Sequence, residues 1–257
     1  MATSSTTERQ NTSAVPVPAI QAINLSKRYN PSSNLALDSL NMTVYQGEIF
    51  GFLGPNGAGK TTTIRLLLDL IRPGSGQALV LGMDCNKSSI QVHQRVGYLP
   101  GELKMYPDSS GRELLHLFTA LRPGQVSQEY LSYVSNKLDA DLETPLGRLS
   151  HGSRQKIGLV LALMAHPDLL ILDEPTTGLD PLVRHQVLDL LREARSEGRT
   201  VFFSSHVLPE VEQICDRVGI IRRGHMVSVE QVQVLRERRV QRIRINFAEP
   251  VPPRTFS

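Results

Sequence analysis

The residues Gly54-Pro55-Asn56-Gly57-Ala58-Gly59-Lys60-Thr61-Thr62 carry the spacing G-x-x-x-x-G-K-[ST]. Glycine at 54, 57 and 59 lets the backbone turn sharply and approach a ligand with no Cβ in the way. Successive N–H groups then point inward as an anion nest, and a helix beginning at the end of the loop adds its positive terminus. Such a cradle suits the phosphates of a nucleoside triphosphate. Lys60 would reach the β- and γ-phosphates, and the Thr61 hydroxyl would bind Mg²⁺. Two more chemically competent pairs lie far downstream, Asp173-Glu174 and Ser205-His206. Asp173 can hold Mg²⁺ through water opposite Thr61, and Glu174 is then placed to orient or deprotonate an attacking water.

These residues need elements that end where they stand. Residues 48–53 read as a short buried strand feeding the loop, and 62–71 as a helix with an apolar face. Residues 169–172 read as a buried strand running into Asp173-Glu174, and 200–204 as another running into Ser205-His206. Helices are expected over 150–165, over 183–196 with Gly198 closing it, and over 208–215. Residues 218–221 read as the last strand before Arg222-Arg223-Gly224. Parallel strands joined by helical crossovers collect a ligand site at their carboxyl ends, where Lys60, Asp173, Glu174 and His206 all fall. Upstream, strands are expected near 20–25, 40–44, 78–81 and 95–100. From 101 to about 146 the periodicity turns helical, which predicts an insertion of two or three helices. Asn136-Lys137-Leu138-Asp139 matches the N-K-x-D guanine reader of GTPases, but is read here as a helix-end tetrapeptide.

Length and composition set the frame. A chain of 257 residues with 40% hydrophobic and 21% charged residues has ample core for one large domain or two small ones. The longest apolar run, Ile157 to Ala165, is too short to span a bilayer. Nothing in the Ser/Thr-rich start reads as a signal peptide, and 1–17 is expected to be disordered. The two cysteines, Cys85 and Cys215, are expected as buried free thiols in a reducing compartment. A sequence pI of about 9.0 invites a nucleic-acid reading. Its source argues otherwise: from Arg222 onward there are 8 Lys+Arg against 3 Asp+Glu, which leaves 20 against 22 in the remainder.

Taken together, the motifs resemble those of the ATP-binding subunit of an ABC transporter, in that family's order, over roughly residues 20–230. Gly54 to Thr61 resembles the Walker A loop. Leu149-Ser150-His151-Gly152-Ser153-Arg154-Gln155 is similar to the signature usually written LSGGQ. Leu169 to Asp173 followed by Glu174 resembles Walker B with its catalytic glutamate, Gly178-Leu179-Asp180 the D-loop, and His206 the switch histidine that touches the γ-phosphate. Tyr29 stands where the family stacks an aromatic on adenine. The resemblance implies a P-loop NTPase fold: a RecA-like α/β core with a mostly parallel sheet, an N-terminal antiparallel β part and an inserted helical subdomain. The nucleotide domain would span 18–225, with the insertion at about 101–150 and a basic extension over 226–257.

The resemblance also implies ATP and Mg²⁺ as ligands and two kinds of partner. Ser150, His151 and Gly152 would meet the γ-phosphate bound to a second nucleotide-binding subunit, most simply another copy of this chain. A polytopic permease would hold the subunit at the cytoplasmic face of the membrane, and no direct nucleic-acid contact is expected. Three departures stand out. His151 and Ser153 replace the usual Gly and Gln of the signature. Gly101-Glu102 stands where the family places a glutamine that touches Mg²⁺, which makes Glu102 an additional candidate for the metal. Residues 243–247 alternate like a strand within the basic tail, as an edge addition or the start of an accessory domain. The loop and the 97–100 segment resemble the stand-alone ATPases of ABC-2-type exporters. The competing class is a soluble ABC ATPase acting on ribosomes or DNA, whose paired nucleotide domains, coiled coils or zinc modules are not seen in the sequence.

Overall fold

The computed structural model describes residues 16–237 apart from 33, 104, 105, 123 and 125. The expected disordered stretch before residue 16 and the strand-like alternation at 243–247 lie outside the described residues. In chain order the strands are β1 (Pro18–Lys27), β2 (Leu37–Tyr45), β3 (Ile49–Leu53), β4 (Ser75–Val80), β5 (Met83–Asp84), β6 (Val96–Leu99), β7 (Leu169–Asp173), β8 (Thr200–Ser205), β9 (Arg217–Arg222) and β10 (His225–Gln231). The helices are α1 (Lys60–Leu67), α2 (Ser89–Arg95), α3 (Gly111–Ala120), α4 (Gln128–Lys137), α5 (His151–Leu163), α6 (Pro181–Ser196), α7 (Leu208–Ile214) and α8 (Val232–Glu237).

Two sheets result. One is antiparallel in the order β2-β1-β4-β5, and the other runs β10-β9-β3-β8-β7-β6. In the second, β9, β3, β8, β7 and β6 are parallel, and only β10 is antiparallel to its neighbour. Strands buried on both faces read as continuous apolar runs, because alternate residues serve different cores. Leu169 and Ile171 pack with Phe50, Phe52 and Phe202 against α1 and the antiparallel sheet. Leu170 and Leu172 pack with Val201 and Phe203 against α5 and α6 on the other side. The helix α1 is therefore enclosed between the two sheets, with Ile64, Leu66 and Leu67 in the first core.

Two expectations are corrected. Strand β9 is not the last: Arg223 (φ 51°) and Gly224 (φ 81°) make a two-residue turn with both φ values positive, and β10 returns beside β9. That geometry matches the right-handed twist of a hairpin, so Arg222-Arg223-Gly224 is a reversal and not an end. The helix α1 stops at Leu67, short of Ile71, because the chain turns at Asp69, whose φ is 54°. Between β6 and α5 lie α3, α4 and a single 3₁₀ turn at Leu146–Arg148, as the helical periodicity predicts. Ser110 and Glu113 start α3 with reciprocal side-chain-to-backbone hydrogen bonds. Asn136 and Lys137 close α4, and Lys137 donates to Glu193 across to α6, which accounts for the N-K-x-D match as a helix end. Among the described residues, no helix is long and apolar enough to cross a membrane.

Candidate functional site

The phosphate-loop residues sit between β3 and α1. Gly59 takes φ 112° at the head of α1 and Gly57 takes φ 75°. The loop is tied down on both flanks: Gly54 N–H donates to Ser205 O at 3.2 Å, and Gly224 N–H donates to Ala58 O at 2.9 Å. A Cβ at Gly54 would lie 2.5 Å from Ile221 O, so only glycine fits against β9 there. Lys60 is 5% exposed, and its ammonium donates to Gly54 O at 2.7 Å and Pro55 O at 3.3 Å. It also pairs with Glu174 Oε1 at 3.2 Å. A hollow of about 330 Å³ opens over this cradle, lined by Asn56, Gly57, Gly59, Lys60, Thr61, Thr62 and Glu174 among others.

Beside it, the parallel register sets Asp173 of β7 opposite Ser204 of β8. The Thr61 hydroxyl donates to Asp173 Oδ2 at 2.7 Å, and the Ser204 hydroxyl donates to Oδ1. One carboxylate and one hydroxyl, held together at the mouth of a phosphate cradle, fit a hard divalent cation that keeps several waters and takes its remaining ligands from substrate phosphates. Gly101 is part of this fit, since a Cβ there would stand 3.1 Å from Asp173 Oδ2. Glu102 borders the same hollow of about 450 Å³, together with Thr61, Asp173 and Glu174.

Glu174 follows β7 at φ 50°, in the left-handed region that side-chain-bearing residues seldom occupy. Its N–H donates to Ser204 O at 3.2 Å and to Ser204 Oγ at 3.1 Å, which holds the backbone there. Such strain persists where the surroundings over-determine it. The carboxylate lies between Lys60 on Oε1 and the His206 ring, whose Nδ1 is 3.2 Å from Oε2, and it accepts from Thr177 Oγ1 at 3.2 Å. Burial pushes the Glu174 carboxyl up, but the charges and hydrogen bonds of Lys60 and His206 outweigh it and hold the pKa below 4.5. It is ionised at neutral pH and able to accept a proton.

The remaining predicted residues fall into two groups. Tyr29 is half exposed near the loop, with its hydroxyl 3.2 Å from Thr62 Oγ1, so it is not a core residue. Ser150, His151 and Gly152 border neither hollow around Lys60 and Asp173. Ser150 caps α5 by accepting from Ser153 N–H at 3.1 Å. Gly152 and His151 instead pack on the segment before α6: a Cβ at Gly152 would meet Gly178 O at 2.7 Å, and one at Gly178 would meet the His151 ring at 2.5 Å. Asp180 caps α6, accepting from Val183 N–H at 3.0 Å, and this bond lowers its pKa. Sequence reasoning missed two contributors. Ser204 orients both Asp173 and Glu174, and Gln155 donates from Nε2 to Glu174 O at 3.3 Å. A hydroxyl near the end of an otherwise apolar strand was the available signal for the first.

The description of an ABC transporter domain matches residues 37–177, more than half of the chain. A bacitracin transport ATP-binding protein, BcrA of Bacillus licheniformis, is 39% identical over 213 residues, covering 81% of this chain and 68% of BcrA. This chain belongs to the ABC transporter family. It is an ATP-binding subunit with the fold of an ABC ATPase. An uncharacterized ABC transporter ATP-binding protein of Nostoc is 42% identical over 199 residues, and there the match spans 75% of this chain but only 59% of the relative. Nod factor export ATP-binding protein I of Burkholderia lata is 36% identical over 220 residues, covering 83% of this chain and 71% of the relative. Among solved structures, an ATP-binding subunit of an ABC transporter superposes with a TM-score of 0.76 at 26% identity, over 85% of this chain and 92% of that one. A cassette solved as a dimer in a post-hydrolysis state bound to ADP and Pi gives 0.75 at 20% identity over 83% and 98%, a likeness of fold.

Proposed function

We propose that this chain is the Mg²⁺-dependent ATPase subunit of an exporter whose membrane-spanning permease is a separate protein of the ABC-2 type. The observation that carries the catalytic part is Glu174: an ionised carboxylate held at the end of β7 between Lys60 and His206, one residue from Asp173. In this reading the backbone N–H groups of residues 54–61 bind the α- and β-phosphates. Lys60 exchanges its contacts with Gly54 O, Pro55 O and Glu174 for phosphate oxygens, and Tyr29 stacks on the base. Thr61 and Asp173 hold Mg²⁺, which would screen the phosphate charge. Glu174, released by Lys60, takes the proton of the attacking water, and His206 faces the terminal phosphate.

Two partners complete the proposal. Ser150, His151 and Gly152 face the nucleotide of a second nucleotide-binding subunit, most simply another copy, so that Asp180 and the signature lie at a shared interface. The cassette solved as a dimer bound to ADP and Pi supports this assembly. The permease docks at an apolar groove of about 500 Å³ between the core and the helical insertion, bordered by Leu70, Tyr98, Pro100, Tyr106, Leu117 and Phe118. Tyr106 and Leu70 are 74% and 51% exposed there. The relative named for Nod factor export supports the export direction. Through the permease the subunit sits at the cytoplasmic face of the membrane.

Lys60→Ala tests the assignment: fluorescent-nucleotide binding and phosphate release should both be lost. Unchanged affinity in this variant refutes the site. Copurification from detergent extracts with a polytopic membrane protein tests the partner. Flotation of the chain with protein-free liposomes would assign membrane binding to the basic tail instead.

A further inference from the structure

One buried carboxylate outside the cradle joins the three segments on which the proposed chemistry depends. Glu210, in the first turn of α7, is 5% exposed. Its Oε2 accepts from Thr176 Oγ1 at 2.8 Å and from Ser205 Oγ at 3.2 Å, and its Oε1 lies 3.3 Å from Nε of Arg184. Thr176 stands two residues past Glu174. Ser205 adjoins His206, and its hydroxyl also accepts from Val207 N–H at 2.9 Å, so the chain is fastened on both sides of His206. Arg184 sits in the first turns of α6 and reaches back to Leu179 O at 3.5 Å, beside Asp180.

We propose that Glu210 is a positioning residue for hydrolysis. It fixes His206 against Glu174 through Ser205, and through Arg184 it ties that setting to the D-loop. A buried acceptor shared by the Thr176 and Ser205 hydroxyls locks both rotamers, because another arrangement leaves a buried polar group unpaired, and the Arg184 guanidinium is held beside it by charge. The contact protected in this way is the 3.2 Å pair of His206 Nδ1 and Glu174 Oε2. Misplacement of about 1 Å at such a pair costs on the order of 10²-fold in rate. Glu210 itself touches neither nucleotide nor water. The inference rests on the ATPase reading above.

The test compares ATP affinity and steady-state hydrolysis in the wild type, Glu210→Gln, Ser205→Ala, His206→Ala and the double variant Glu210→Gln/His206→Ala. Glu210→Gln keeps the volume and one acceptor but loses the second acceptor and the charge. Ser205→Ala cuts one link and leaves the ion pair with Arg184 in place. Both single variants should bind ATP as the wild type does, with kcat reduced about 10- to 100-fold and KM little changed. In the His206→Ala background the Glu210→Gln change should cost less than about twofold, since coupled residues do not add. Wild-type kcat in both single variants overturns the inference. So does a full, additive loss in the His206→Ala background, or a loss confined to KM and ATP affinity, which marks a merely structural role. A wild type that binds Mg-ATP without hydrolysing it overturns the ATPase reading and this inference with it. An active wild type with unaffected variants overturns this inference alone.

Discussion

Replacing Gly152 by alanine sets two effects of opposite sign against each other, and the structure decides between them. Gly152 lies in the first turn of α5, where alanine gains about 0.5–1 kcal/mol of helix propensity over glycine. The added Cβ would stand 2.7 Å from Gly178 O, a backbone atom, and real Cβ contacts essentially never fall under 3.0 Å. At least 0.3 Å of movement is therefore required, and no flexible side-chain end is there to give way. Overpacking of this kind costs about 1–3 kcal/mol. The clash wins by roughly 1 kcal/mol, which in a chain of this size lowers Tm by about 2–4 °C. The movement falls on the Gly178–Asp180 segment, so ATP hydrolysis should drop at least about tenfold, equivalent to about 1.4 kcal/mol of barrier. ATP binding by the isolated chain should not change, because Lys60 and Thr61 lie in another wall of the molecule. Thermal unfolding, nucleotide titration and phosphate release measure the three quantities. A Gly152→Ala protein that melts at or above the wild-type temperature and hydrolyses ATP normally would refute the reasoning.

Glu174→Gln keeps size and hydrogen bonding but removes the proton acceptor, so ATP should bind while hydrolysis falls about 10²–10⁴-fold. Light scattering should then show an ATP-dependent dimer, because the trapped nucleotide stabilises the assembled form by mass action; hydrolysis at the wild-type rate would show that another group is the base. The depressed pKa of Glu174 contributes stability that is fully present above about 4.5 and is lost as pH falls through the lower folded value. The stability gap between the wild type and Lys60→Met, read by urea unfolding from pH 3 to 7, should therefore widen as pH rises; a gap that narrows would contradict the ion pair. Burial pushes the Cys85 thiol up to about 12 and the Cys215 thiol well above 9.0. Neither should react with a thiol reagent at pH 8 in the folded chain, whereas both should react in urea, since the thiolate is the nucleophile.

Much of this site was legible because its parts are written locally. The phosphate loop is contiguous, and strands β3, β7 and β8 show as apolar runs ending in the functional pairs. What stayed hidden depends on contacts between distant residues. Ser204 reaches Asp173 only through the β7–β8 register, and Glu210 meets Thr176 across 34 positions. The helix α2 was missed because it buries only Val92, too little for a periodic signal. Strand β10 was missed for a different reason: Arg223-Gly224 reads as a terminator unless both residues are known to take positive φ. The departure at Gly101 also becomes intelligible only in three dimensions, where a side chain would crowd the carboxylate of Asp173.

The enclosure of α1 has a mechanical consequence. The helix that carries Lys60 and Thr61 is clamped between two sheets, with Ile64, Leu66 and Leu67 set among side chains from both. The helix α3, by contrast, gives Leu115 to the main core and Leu114 to a cluster of three buried residues, and borders the 500 Å³ groove. Stiffness is thus unevenly distributed. On this packing the cradle is the stiffer anvil and α3 the more compliant element. Amides of β3 and α1 should exchange with solvent only when the whole domain opens, while those of α3 exchange through cheaper local excursions. In the proposed cycle, work done at the phosphates would then be delivered more readily as displacement of α3 than as deformation of the cradle.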